Sequence, residues 1–175
     1  MLGRGIDRIL SNTDIVERDR AAILARASVV VKPGANQYAA RMRYIVHTDG
    51  AARGNPGPAA IGVVIEDEEG RTVYEASRAL GMKTNNEAEY MALIAALEYL
   101  KDARASEAEF RLDSELVVRQ LNGEYKVKEP RLQALYGQVI MLLNAVGKHT
   151  IRHVRREQNK RADELANEAL DAKGA

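Results

Sequence analysis

Apolar positions along this chain switch between a period of two and a period near 3.6, and the switches mark out its elements. Tyr44, Ile45 and Val46 form a β-branched and aromatic run that predicts a strand over about 43–49. Gly50, Gly54, Pro56, Gly57 and Pro58 then predict a turn, so the strand is expected to stop at Asp49. Two further strands are predicted at about 60–66 and 71–79, with Gly70 turning a solvated hairpin behind Asp67-Glu68-Glu69. Spacings of three and four follow: Ala88, Ala92, Leu93, Ala96, Leu97 and Leu100 share one face of a helix over about 86–101, opened by Thr84-Asn85-Asn86. The alternation Glu109-Phe110-Arg111-Leu112 predicts a strand at about 108–113. Ser114 opens a helix over about 115–122, stopped by Asn122-Gly123, and Pro130 suits the first turn of another over about 130–146. A strand at about 149–155 and a helix at about 160–171, with Asn159 able to cap it, complete the series. Three strands, a helix, a strand, two helices, a strand and a final helix imply an α/β fold with a mixed five-stranded sheet flanked by helices.

Residues 1–40 read as an N-terminal extension. Asn12 or Thr13 caps a partly apolar helix to about Ala27, and Lys32-Pro33-Gly34-Ala35-Asn36-Gln37 forms a linker. The segment lacks aromatic side chains before Tyr38, so it lacks the stacking platform of a separate nucleic-acid module and is expected to pack on the core or self-associate.

Bulk composition changes this picture little. The 26 basic and 25 acidic residues nearly cancel, so overall charge does not announce a nucleic-acid binder. Locally, Lys148, Arg152, Arg155, Arg156, Lys160 and Arg161 form a basic strip, either phosphate-facing or a solvated face. The absence of cysteine excludes thiolate zinc sites and disulfides. No apolar stretch approaches a membrane span, and Arg4, Asp7 and Arg8 interrupt any signal-like segment, so a cytoplasmic location without membrane contact is expected.

Four acids stand in telling places. Asp49 and Asp113 each end a predicted strand, the sheet edge where ligands gather in open α/β folds. A plain hairpin-opening role would also explain Asp49. Glu89 borders the apolar stripe of its helix, where an isolated charge must be paired, protonated or bound to a cation, whereas Glu87 points elsewhere and reads as ordinary. Asp163 lies in a first helical turn, where the dipole alone would favour it.

The segments TDGAARGNPGPA, TNNEAEYMAL, LDSELVVRQL and NKRADELAN, in this order, resemble type-1 ribonuclease H over roughly residues 43–171. The resemblance implies a ribonuclease H-like catalytic domain over 41–175, following the extension. It implies an endoribonuclease that cleaves the RNA strand of RNA–DNA hybrids to 5′-phosphate and 3′-hydroxyl ends. It places Asp49, Glu89, Asp113 and Asp163 as catalytic metal-binding carboxylates, with Asp49 shared between ions. The cofactor implied is a pair of Mg2+ ions, with Mn2+ as a substitute, about 3.5–4 Å apart and activating a water while stabilising the leaving oxygen. Asn55, Asn85 and Asn86 match positions that contact the hybrid in its minor groove, and Thr84 a phosphate contact on the DNA strand. Each has capping or turn chemistry as its ordinary role.

The chain departs from the family pattern in three places. The family's loop histidine before the last aspartate is absent: His153 falls in a predicted strand, and Arg156 or Glu157 is expected in its space. Only Glu124-Tyr125-Lys126-Val127-Lys128-Glu129 stands where longer members carry a basic, tryptophan-bearing protrusion, leaving Lys126 and Lys128 as a reduced contact. Glu115 stands where many relatives have an amide, and its charge is expected to weaken hybrid contact or attract metal. A monomer is slightly favoured. The alternative to an enzyme is a catalytically weak or inactive nucleic-acid-binding module of the same fold.

Overall fold

The hairpin connections are tighter and the strands longer than the glycine pattern suggests. The computed structural model describes residues 42–172; the expectations for residues 1–40 lie outside the described residues. Strands β1 (Arg43–Ala52), β2 (Gly57–Glu66) and β3 (Thr72–Lys83) are followed by helix α1 (Asn85–Asp102) and strand β4 (Glu107–Leu112). Helices α2 (Glu115–Leu121) and α3 (Pro130–Val146), strand β5 (Lys148–His153) and helix α4 (Lys160–Asp171) complete the order. The sheet runs β3-β2-β1-β4-β5, antiparallel from β3 to β1 and parallel from β1 to β5.

Side-chain alternation divides the sheet into two faces. On one, Tyr44, Val46, Val63, Ile65 and Phe110 meet Leu93, Leu97 and Leu100 of α1 and Val139, Leu142 and Val146 of α3 in the main core. On the other, α4 packs Ala169 and Leu170 on Ala60, and Ala162 and Leu165 on Val64. Parallel pairing of β1 with β4 requires the intervening chain to cross over, and α1 makes that crossover.

The expectation that β1 stops at Asp49 is corrected. The strand continues through Ala52, with Gly50 paired to Ile61 and Ala52 to Ala59. Gly50 is a close-approach residue rather than a breaker: a Cβ there would lie 2.2 Å from the Glu89 backbone nitrogen, because the start of α1 crosses directly above. Residues 53–56 alone make the bend, which contains a cis Asn55–Pro56 peptide and is closed by the Arg53 amide donating to the Pro58 carbonyl at 2.8 Å. The second hairpin is less solvated than expected. Asp67 is buried and its carboxylate accepts from the amides of Glu69 and Arg71 and from Arg71 Nε at 2.7 Å.

Helix α1 starts on a reciprocal cap. Thr84 Oγ1 accepts from the Glu87 amide at 3.2 Å, while Glu87 Oε2 accepts from the Thr84 amide at 2.8 Å. Glu87 is therefore buried and structural, correcting its reading as an ordinary surface acid; the Thr-x-x-Glu spacing carried that signal. One helical turn later, buried Tyr90 donates to Gln120 Oε1 at 2.8 Å and ties α1 to α2. Both helices begin beside the same edge of the sheet.

Candidate active site

Asp49 and Glu89 are each only 6% exposed, and Asp113 is half-buried at the first position after β4. One carboxylate oxygen from each of the three lies within 4.8 Å of the others. Three distant segments supply this group: the middle of β1, the second turn of α1 and the end of β4. Gly50 makes it possible, since any side chain there would force the Glu89 backbone away from β1. Asp163, in the first turn of α4, lines the same cleft of about 450 Å³ but stands outside the three-acid group.

None of the three acids makes an ion pair with Lys or Arg among the described residues, so burial and mutual repulsion act unopposed by a direct counter-ion. Burial raises the Asp49 carboxyl to about 7, helped by the charges of Asp113 and Asp163; Arg156 and the Gly50 N–H pull weakly the other way. Glu89 is driven well above its ordinary value by burial first, then by Asp49 and Asp113. Oxygen-only donors that resist holding their negative charge together suit a hard divalent cation, and nothing in the group offers a soft ligand. The residues present fit such an ion.

This has a measurable consequence for the metal-free chain. The Asp49 carboxyl keeps its proton in the folded state up to about pH 7 but loses it near 3.8 when unfolded, so the folded state binds the extra proton across that window. Stability is therefore expected to fall as pH rises from 5 to 8 in chelator, by about 2–3 kcal/mol at about 1.4 kcal/mol per pH unit. Asp67, Glu75, Glu87 and Glu109 have lowered values, so their opposite contribution is complete below this range; His47, lowered from 6.5 by burial, opposes the fall inside it, and Glu89, raised by burial, adds to it. Denaturant titrations at pH 5 and pH 8, with and without added magnesium, check it. Equal or greater stability at pH 8 in chelator is the contrary result.

Asn159 is the residue that sequence reasoning misplaced. Its side chain does not cap α4; it is 1% exposed and Nδ2 donates to the Thr48 carbonyl at 2.8 Å and to Asp113 Oδ1 at 3.0 Å. The Asn159 amide thus locks Asp113 to the backbone of β1 at Thr48, which lies 111 residues from Asn159 in sequence. An asparagine ahead of a helix signals a cap, and only the folded chain reveals that β1 and β4 meet there.

The loop before α4 forms a 3₁₀ turn, Arg156–Gln158. Of the two residues expected near the last aspartate, Arg156 reaches it: Nη2 donates to Asp163 Oδ1 at 2.5 Å. His153 ends β5 and is exposed, as its strand assignment predicts. Glu115, whose charge is expected to bear on hybrid contact or metal, pairs with Arg119 at 2.7 Å on the exposed face of α2. The basic strip is also largely paired. Lys148 meets Glu107, Arg152 meets Glu109, Lys160 meets Glu164 and Arg161 meets Glu75, because neighbouring strands and turns bring acids alongside each base.

Of the expected substrate residues, Asn85 lines the cleft, and its amide donates to Asn55 Oδ1 at 3.2 Å, binding the 53–56 bend to the start of α1. Asn55 and Asn85 are exposed and Asn86 is half-exposed. The Thr84 hydroxyl is engaged with Glu87, in the capping role that its ordinary reading predicts.

The sequence profile of the family described as "Reverse transcriptase-like" matches residues 47–169. Ribonuclease HI of Halobacterium salinarum is 46% identical over 129 residues, which are 74% of this chain and 65% of that protein. The chain belongs to the type-1 ribonuclease H family. The bifunctional protein Rv2228c of Mycobacterium tuberculosis is 43% identical over 132 residues, covering 75% of this chain but 36% of its own length. The chain thus spans about two thirds of one of these ribonuclease H relatives and about a third of the other. Among solved structures, that of LC11-RNase H1 in complex with an RNA/DNA hybrid superposes with a TM-score of 0.72 at 50% identity, over 75% of this chain and 99% of that one. The mixed sheet and flanking helices are those of the ribonuclease H fold. No helix among the described residues is long and apolar enough to cross a membrane.

Proposed function

We propose that this chain is an endoribonuclease that hydrolyses the RNA strand of RNA–DNA hybrids, leaving 5′-phosphate and 3′-hydroxyl ends. The observation that carries this reading is the convergence of Asp49, Glu89 and Asp113 within 4.8 Å, with Asp163 on the same cleft. Magnesium, with manganese as its substitute, is the cofactor this oxygen-only set suits; when bound it supplies charge neutralisation at phosphorus and acidifies water.

Asp49, towards the centre of β1, would be the carboxylate common to both ions, with Glu89 and Asp113 completing the inner set and Asp163 holding the second. Their roles are to bind and to fix position. Gly50 lets Glu89 close on Asp49, and Asn159 keeps Asp113 from swinging away. Asn85 on the cleft, with Asn55 bonded to its amide and Asn86 next to it in the chain, offers groups that both donate and accept, the chemistry needed to sense a ribose 2′-hydroxyl. The contact between Asn55 and the Asn85 amide holds that recognition surface against the catalytic one. Thr84 presents its capped helix start towards a phosphate of the DNA strand.

The test compares labelled RNA–DNA, RNA–RNA and DNA–DNA duplexes, each with magnesium, manganese or chelator. Metal-dependent cutting of the hybrid's RNA strand alone is expected. A chain that binds the hybrid and leaves it intact under every condition is instead an inactive binding module.

A further inference from the structure

Arg156 is the sole basic residue, among the described ion pairs, that pairs with a carboxylate of the acidic cleft. Its Nη2 lies 2.5 Å from Asp163 Oδ1, and its charge also acts on Asp49 and Asp113. The neighbouring bases are committed elsewhere: Lys160 to Glu164, Arg161 to Glu75 and Arg53 to Asp171. The cleft is divided accordingly. Three acids converge without a counter-ion, and the fourth stands apart from them with its charge already matched.

Resting on the metal-dependent function proposed above, we propose that Arg156 is the resident counter-ion of Asp163. The three-acid group takes a first divalent ion unopposed, and a second enters beside Asp163 only by displacing the guanidinium. The geometry suits displacement. Arg156 belongs to a short 3₁₀ turn, its side chain is 73% exposed, and its release into water uncovers no core. Guanidinium keeps its charge at any physiological pH, so this competitor is always present, unlike an imidazole in the same space. The affinity of the second ion is then set by an exposed ion pair, whose loss favours that ion by about twofold to fivefold.

Titration calorimetry of the full chain with Mn2+ alone, without nucleic acid, tests this. Two binding events are expected in the parent. In Arg156→Ala the weaker event tightens by about twofold to fivefold while the stronger, on which Arg156 acts only through its more distant charge, moves less, and Arg156→Gln reproduces the shift if the alanine variant folds poorly. Arg156→Lys, which retains a charge with looser geometry, falls between. Asp163→Asn removes the weaker event in either background. A weaker event unmoved or loosened in both Arg156→Ala and Arg156→Gln overturns the proposal. Failure of the underlying metal reading is distinguishable: the parent then shows no Mn2+ binding, or shows binding that Asp49→Asn leaves unchanged.

Discussion

Asp49→Asn is expected to abolish cleavage while leaving hybrid affinity within a few-fold of the parent. The substitution keeps the shape of the side chain and removes its charge at the point where β1, α1 and β4 meet. A neutral amide is a weak partner for a hard cation, and the charge it must balance at phosphorus is worth several kcal/mol, so cleavage should fall by at least about a thousandfold. Hybrid binding rests on duplex shape and phosphate contacts spread over a larger surface, and it survives. Stability should move the other way. A carboxyl forced up to about 7 is replaced by a group with no charge to desolvate, so the metal-free variant should melt above the parent at pH 8. It should also lose much of the pH dependence expected of the parent. Single-turnover cleavage, hybrid titration and thermal melts in chelator measure the three effects, and cleavage at the parental rate would remove Asp49 from the centre of the proposed mechanism.

Gly62→Ala should be the most damaging small substitution in the sheet. Gly62 pairs with Asp49 on β2, and α4 lies directly on it: an added Cβ would sit 1.9 Å from the Ala162 carbonyl oxygen and 2.8 Å from the Ala166 nitrogen. These are helix backbone atoms, which cannot rotate aside as a side chain can. The helix must lift, opening the contacts of Ala162, Leu165, Ala169 and Leu170 with the sheet. A loss of about 3 kcal/mol or more follows, at the upper end of overpacking costs. Asp163 rides on α4, so cleavage should fall with stability even where the variant still folds. Gly137→Ala is the control. Gly137 is exposed on α3 with open space around it, and alanine there should stabilise by about 0.5–1 kcal/mol through helix propensity. Denaturant unfolding of both variants checks the contrast; similar small effects at the two positions would mean that α4 does not pack on β2 as described.

The contrast between these glycines shows how far the sequence could be read. Glycine in a strand pattern signals either a break or a close approach, and the local sequence does not distinguish them. Gly50 reads as a break and proves to be an approach, because what requires it is a helix starting 35 residues later. Helix α3 was legible from Pro130 and a long apolar stripe, which needs nothing beyond its own segment. The cap of α1 is equally local, since Thr84 and Glu87 serve each other across the Thr-x-x-Glu spacing. Asn159 could not be read. It stands where a cap belongs and instead satisfies two groups on other strands.

What the sequence by itself determined is the set of elements and the identity of the acids, because periodicity, capping and turn chemistry act over a few residues and leave their mark within each segment. The tertiary structure alone decided how the acids are arranged: which three converge, which one pairs with Arg156, and which amide locks Asp113 to β1. Those relations depend on parallel pairing and on a helix crossing a strand at backbone distance. Burial there raises carboxyl groups and aligns donors across more than a hundred residues of chain, an effect that no single segment contains.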